Sequence, residues 1–271
     1  MTFDLKAFEW KEQVFPKRDD LPRDVTSIDV LKTLAVSLMI MDHVGWLILP
    51  QIELLRVLGR LSVPLWFFLI GYADTRTVPV RWYIAGGIIM LTRVIAGFSP
   101  LALCVLFTMA AVRYLLDPVW DFMVRRRYYF WWFVLLLAFF GYVSDMFLEY
   151  GTIGLLLAYI GYVNRHKDEA EKAMGHGFPA YYAIVALSVF GVMSAMKFGF
   201  GLVGVMVLAA GLIGVYFVLS DFRAKSLPAL TGGINAPLLK FMGRYSLEIY
   251  VLHLLILLGV FALHRLAESL I

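Results

Sequence analysis

Residues 26–50 read TSIDVLKTLAVSLMIMDHVGWLILP, an apolar run of membrane-spanning length that carries Asp29, Lys32, Asp42 and His43. Ionisable side chains in hydrocarbon are unfavourable, so they face a bundle interior, a cavity or a partner. At about 100° per residue, Asp29, Lys32 and His43 share one helix face. Asp42 points about 100° away from that face. The stretch therefore predicts a membrane helix with three ionisable side chains on one face.

The composition of the whole chain is that of an integral membrane protein. The 271 residues are 61% hydrophobic and 16% charged, with a mean hydropathy of +0.80. The net charge of +4 does not indicate a nucleic-acid partner, because the basic residues lie between apolar runs rather than in one patch. We expect membrane lipids as partners. Residues 1–27 predict a cytoplasmic or interfacial segment, and residues 28–271 predict one transmembrane domain.

Apolar runs of suitable length predict nine spans and an all-α polytopic transmembrane helical bundle. They lie at about 28–50, 54–72, 82–97, 98–116, 128–142, 149–163, 179–196, 199–219 and 239–263. With the amino terminus inside, all but five of the 24 Lys and Arg residues fall on the cytoplasmic side. This asymmetry predicts a multi-pass protein of the bacterial inner membrane with a cytoplasmic amino terminus.

Two histidines, His43 and His253, lie within apolar runs. Imidazole takes and returns a proton near neutral pH, and a low-dielectric site favours its neutral, basic form. The alternative role for each is an interhelical hydrogen bond. The chain has one cysteine and neither an HxxxH nor an HExxH spacing, so no metal site is expected.

Arginines on the predicted cytoplasmic side have two possible roles, because topology alone requires basic residues there. They either face anionic lipid or clamp the phosphates of a nucleotide-like donor, to which arginine offers a bidentate fork. The candidate donor-binding residues are Arg76, Arg81, Arg125, Arg126, Arg127 and Arg244.

Three segments resemble motifs of the transmembrane acyltransferase superfamily, in the same order along the chain. They are DVLKTLAVSLMIMDH at 29–43, LSVPLWFFLIGY at 61–72 and GRYSLEIYVLH at 243–253. The small size and the Asp-His pair at 42–43 make the chain most similar to TraX-type proteins, the pilin N-acetylases of conjugation systems. The sugar O-acyltransferases of the superfamily usually have arginine in place of Lys32 and often ten or eleven spans, so the bundle is expected to have about nine to ten.

The resemblance implies acyl transfer from cytoplasmic acetyl-CoA to an acceptor amine or hydroxyl, such as a pilin amino terminus, a glycan or a lipid. His43 would be the general base, with Asp42 or Glu248 to orient it or balance its charge. Lys32 would contact a CoA phosphate or pair with Asp29 at (i, i+3). A kink at Pro64 would open space beside the first span. The candidate substrate-binding residues are Trp66, Phe67, Tyr250 and His253.

Two other classes of function remain open at this point. Asp42, His43, Glu248 and His253 would serve equally as the proton relay of a coupled transporter, although the chain lacks the internal repeat typical of transporters. A passive membrane subunit of a pilus assembly is the third hypothesis. It predicts that substitutions at Lys32 or His43 affect stability alone.

Overall fold

The structure is a computed structural model in which residues 21–269 are described, and helices dominate them. The all-α prediction is confirmed. Most of the predicted segment 1–27 lies outside the described residues. The helices are α1 (Ser27–Leu47), α2 (Glu53–Arg60), α3 (Ser62–Tyr72), α4 (Val80–Ile95), α5 (Val105–Arg125), α6 (Phe130–Asp145), α7 (Gly151–Arg165), α8 (Lys167–Met174), α9 (Phe178–Phe198), α10 (Leu202–Ser220), α11 (Pro228–Thr231), α12 (Ala236–Arg244) and α13 (Ser246–Ser269).

Six helical stretches within residues 21–269, one of them α2 and α3 together, are long and apolar enough to cross a membrane, so the chain is an integral membrane protein. They are Ser27–Leu47, Glu53–Tyr72, Arg127–Asp145, Phe178–Phe198, Leu202–Ser220 and Ser246–Glu268. The other three predicted spans correspond to α4, α5 and α7, which are helical without meeting both conditions. The count of nine to ten spans therefore stays a prediction.

The fourth predicted span begins later than its apolar run suggests. Residues 98–104 precede the helix, and Ala102 has a left-handed φ of 64°. Leu103 instead forms an isolated bridge with Leu148, in which its amide donates to the Phe147 carbonyl at 2.8 Å. Apolar composition does not reveal such a bridge, because its hydrogen bonds belong to the backbone. The helix α5 then continues through Pro118 to Arg125, beyond residue 116, where the fourth predicted span ends.

The beginning of α1 is fixed by a capping box of Thr26 and Asp29. The Asp29 amide donates to Oγ1 of Thr26 at 3.1 Å, and the Thr26 amide donates to Oδ2 of Asp29 at 3.0 Å. These two bonds satisfy backbone donors that have no partner within the helix. Arg244, at the end of α12, adds an ion pair to Asp29 at 3.4 Å. Asp29 is thereby occupied by structural contacts.

The helix break between α2 and α3 agrees with the predicted effect of Pro64. Proline lacks an N–H donor and crowds the carbonyl four residues earlier, which here is Arg60, the last residue of α2. Gly59 brings α2 close to α1, because a Cβ at this position would overlap the backbone of Asp42. Close packing and the break together place the arginines of α2 beside the end of α1.

The centre of the bundle is α7, which packs against α3, α5, α6 and α9. Its residues Leu156 to Tyr159 have no exposed surface. On one side of this centre, α1 packs against α2, α3, α12 and α13. The start of α7 therefore reaches the same region as the end of α1.

Candidate acyl-transfer cavity

A cavity of about 420 Å³ lies among α1, α3, α4, α5 and α13, within the size range of small-molecule sites. It follows α1 from Lys32 to His43, a distance of about 16 Å along the helix axis. Of the residues predicted from sequence, those lining it are Lys32, Asp42, His43, Trp66, Phe67, Arg81 and Tyr250. The fold therefore brings residues from four separated segments to one cavity.

One end of the cavity is rich in cations. Lys32, Arg81, Arg113 and Arg165 line it near the first turn of α1. Asp74 pairs with Arg165, and Glu248 lies 3.5 Å from Arg81. Lys32 has no hydrogen bond or ion pair to any residue in 21–269, so its predicted pairing with Asp29 is not formed. The remaining charge at this end is positive.

Two buried donors add to the polarity of this wall. Nε1 of Trp66 and Nε of Arg113 have no hydrogen-bond partner within the described part of the chain. Arg113 is held in place because its Nη1 donates to the Thr77 carbonyl at 2.6 Å and its guanidinium lies 4.8 Å from the Trp82 ring centre. Buried donors without partners are unfavourable. This wall fits a ligand with many acceptor oxygens.

At the other end of the cavity, the lining residue His43 contacts a second imidazole, that of His253, which does not itself line the cavity. Nδ1 of His43 lies 2.7 Å from Nε2 of His253, and Nδ1 of His253 lies 2.7 Å from the Ile249 carbonyl oxygen. A carbonyl oxygen accepts only, so Nδ1 of His253 carries a hydrogen. With both rings neutral, Nε2 of His253 then accepts from Nδ1–H of His43. This order leaves a lone pair on Nε2 of His43.

Asp42 is next to His43 in the chain, but its carboxylate contacts α2 and not the imidazole. Its carboxylate accepts from Nη1 of Arg56 and from Nε of Arg60, both at 3.0 Å, and also pairs with Nη2 of Arg60. Asp42 and Arg60 are both buried. The carboxylate therefore joins α1 to α2, and the group in contact with His43 is His253.

The remaining predicted residues lie outside the cavity wall. Arg76 pairs with Asp117 at 3.0 Å, and Arg244 donates to the carbonyls of Pro22 and Asp24. The guanidiniums of Arg126 and Arg127 lie over the rings of Phe122 and Tyr128. Arg125, beside them, is the last residue of α5. None of these arginines lines the cavity with Lys32.

Three lining residues have roles that the sequence did not indicate: Glu149, Tyr150 and Arg165. Glu149 accepts from Nη1 of Arg93 at 2.7 Å and from the Val105 amide at 3.0 Å. In the sequence, the only local indication was that a charged residue, Glu149, and an aromatic residue, Tyr150, precede Gly151 at the start of a predicted span.

Within residues 21–269, no group of three or more His, Cys, Asp or Glu side chains is arranged to hold a metal ion.

The fold and the cavity define a polytopic membrane protein with a chamber inside its helical bundle that is lined by both charged and apolar side chains. The TraX protein family matches residues 27–261, and the chain belongs to this family. It is also 25% identical over 241 residues to an uncharacterized protein of Rickettsia prowazekii (strain Madrid E), covering 86% of this chain and 91% of that protein. No solved structure matches the chain.

Proposed function

We propose that this protein transfers an acetyl group from cytoplasmic acetyl-CoA to an amine or hydroxyl acceptor, with His43 as the general base. Family membership supports this class of reaction, since TraX-type proteins acetylate pilin amino termini. The observation that carries the proposal is the contact between His43 and His253 at 2.7 Å, which leaves Nε2 of His43 as an acceptor at the cavity wall.

The reaction needs a group that removes a proton as the acceptor attacks. Nε2 of His43 takes that proton, and the Nδ1–H of the resulting imidazolium donates more strongly to His253. General base catalysis of this kind contributes about 10²–10⁴-fold to a rate. The proton passes next to the departing CoA thiolate, so the base returns to its starting form.

The cationic end of the cavity suits the other part of the donor. Lys32 and Arg113 offer charged donors to the phosphates of acetyl-CoA, and Trp66 offers a neutral one. The pantetheine arm then follows α1 toward His43. The predicted orientation, with nine to ten spans and a cytoplasmic amino terminus, lets CoA enter at the Lys32 end.

An acetyl-transfer assay on purified protein tests the proposal. The acceptor is a synthetic peptide with a free α-amine and the sequence of a pilin amino terminus, and CoA release is followed with a thiol reagent. We expect His43→Gln to lower kcat by about 10²–10⁴-fold while acetyl-CoA binding persists. His264→Gln is the matched control, because His264 is exposed near the end of α13.

Two outcomes would contradict the proposal. One is a His43→Gln protein that is folded and transfers acetyl groups at the wild-type rate. The other is flux driven by a pH gradient in proteoliposomes without acetyl-CoA, which would support the transporter hypothesis instead. Mass spectrometry of cells with and without the gene would identify the acceptor.

A further inference from the structure

Tyr150 occupies an unusual backbone position at the cavity wall. Its φ of 68° is left-handed, and Gly151, which begins α7, follows with a φ of 36°. A non-glycine residue rarely adopts this conformation, and such strained positions concentrate at functional sites. The conformation is held by a hydrogen bond from the Tyr150 amide to Oδ1 of Asp145 at 2.8 Å. The fold thus fixes the ring of Tyr150 at the cost of backbone strain.

The hydroxyl group of Tyr150 is held by a cation. Nη1 of Arg60 donates to the Tyr150 hydroxyl oxygen at 2.8 Å. Throughout residues 21–269, nothing accepts the hydrogen of that hydroxyl. Tyr150 lines the same cavity as His43. The hydroxyl hydrogen of this lining residue therefore has no acceptor within the described part of the chain.

Arg60 is itself firmly positioned. Asp42 accepts from its Nε, and its guanidinium lies 4.7 Å from the Phe198 ring centre. Arg56 shares the same carboxylate, so two guanidiniums face one negative charge. The excess positive charge polarises the O–H bond of Tyr150 through Arg60 and makes it a stronger donor. Asp42 and Arg60 act here as positioning residues.

We infer that Tyr150 is a catalytic residue whose hydroxyl donates a hydrogen bond to the carbonyl oxygen of the acetyl thioester. The inference rests on the proposed function and adds to it a stabiliser of the transition state. Donors aimed at developing negative charge supply a large share of catalysis in acyl transfer.

Acetyl transfer consists of attack on the thioester carbon followed by loss of the CoA thiolate. The acceptor nitrogen or oxygen forms a bond to the thioester carbon, and the carbonyl π pair moves to the oxygen that Tyr150 contacts. His43 takes the acceptor proton. The carbonyl then re-forms, the carbon–sulfur bond breaks with its electron pair on sulfur, and His43 gives the proton to the thiolate. The products are the acetylated acceptor and CoA.

Tyr150→Phe removes the donor and keeps the ring. We expect kcat to fall by about 10²-fold, the effect of removing one oxyanion donor, with KM for acetyl-CoA unchanged. Tyr182→Phe is the matched control. Tyr182 is a buried tyrosine away from the cavity, and its hydroxyl donates to the Leu156 carbonyl at 2.9 Å.

Infrared spectroscopy separates a catalytic role from a structural one. In the ketone analogue acetyl-carba(dethia)-CoA, a methylene group replaces the thioester sulfur, so the carbonyl keeps its position and the acetyl group is not transferred. We expect its stretching frequency to shift down on binding to the wild type and to Tyr182→Phe, and to stay near its free value on Tyr150→Phe.

A wild-type rate and a retained shift in Tyr150→Phe would overturn the inference. If Tyr150→Phe does not fold, 3-fluorotyrosine at position 150 preserves the shape and strengthens the donor, and an unchanged frequency would then overturn it. Wild-type protein that shifts the ketone frequency but transfers no acetyl group would contradict the proposed function and support the hydrogen bond of Tyr150.

Discussion

Nδ1 of His43 and Nε2 of His253 meet at 2.7 Å across 210 residues of chain. If His253 orients the base, it stabilises the imidazolium that forms on His43 during transfer. A hydrogen bond to a charged group is worth about 1.5–3 kcal/mol, so we expect His253→Leu to lower kcat by about 10–100-fold. His253→Gln, which offers an acceptor oxygen, should lose less.

The readout is kcat at saturating acetyl-CoA, with His264→Leu as the exposed control on the same helix. Equal rates for wild type and His253→Leu would mean that packing alone orients His43.

Lys32 gives a second prediction, because it lines the cavity and forms no ion pair within residues 21–269. If it contacts a CoA phosphate, Lys32→Met should raise KM for acetyl-CoA about tenfold, the value of one charge-assisted contact. S-acetylpantetheine lacks the nucleotide, so its KM should be the same in the variant and the wild type. Lys172→Met is the control, since Lys172 is exposed in α8. A rise in KM for both thioesters would indicate that Lys32 maintains the shape of the cavity and does not bind a phosphate.

The ion pairs of Asp42 with Arg56 and Arg60 should stabilise the fold. Asp42→Asn leaves the guanidiniums of Arg56 and Arg60 without their carboxylate, and breaking a buried pair costs about 3–5 kcal/mol of unfolding free energy. We expect a clear drop in the thermal unfolding midpoint in detergent. Glu268→Gln breaks the exposed pair with His264 and should change the unfolding free energy by less than about 1 kcal/mol. Equal midpoints for the two variants would contradict a structural role for Asp42.

Local features were predictable from the sequence, because they depend on residues a few positions apart. The capping box of Thr26 and Asp29 and the break before Pro64 are both of this kind. Helical periodicity likewise put Lys32 and His43 on one face, and both line the cavity. Each of these conclusions requires only the geometry of one helix.

Contacts between distant segments were not predictable in this way. The sequence suggested Asp42 as a partner for His43 because they are adjacent, yet neighbours on a helix point apart and the arginines of α2 reach Asp42 first. The left-handed conformation of Tyr150 is held by a hydrogen bond to Asp145, and the bridge between Leu103 and Leu148 lies two residues before it. A hydrophobicity pattern carries no signal for such contacts.

The crossing of α3 and α7 gives the last prediction, because it positions Trp66 and Phe67 at the cavity. Gly161 lies against this crossing, and a Cβ there would overlap the backbone carbonyl of Phe68. Backbone atoms cannot move aside as a flexible side chain can, so Gly161→Ala should destabilise the fold by about 1–3 kcal/mol, the usual cost of overpacking. Because α3 must shift to relieve the overlap, acetyl-CoA binding should weaken as well.

Gly214→Ala in α10 is the matched control for this substitution. Apart from its chain neighbours and the backbone of its own helix, no atom of residues 21–269 lies within 4 Å of the added methyl group, and alanine is the better helix former by about 1 kcal/mol. Its unfolding midpoint should equal or exceed that of the wild type. If thermal unfolding and acetyl-CoA titration give the same values for both glycine variants, then close approach of α3 and α7 does not determine the shape of the cavity.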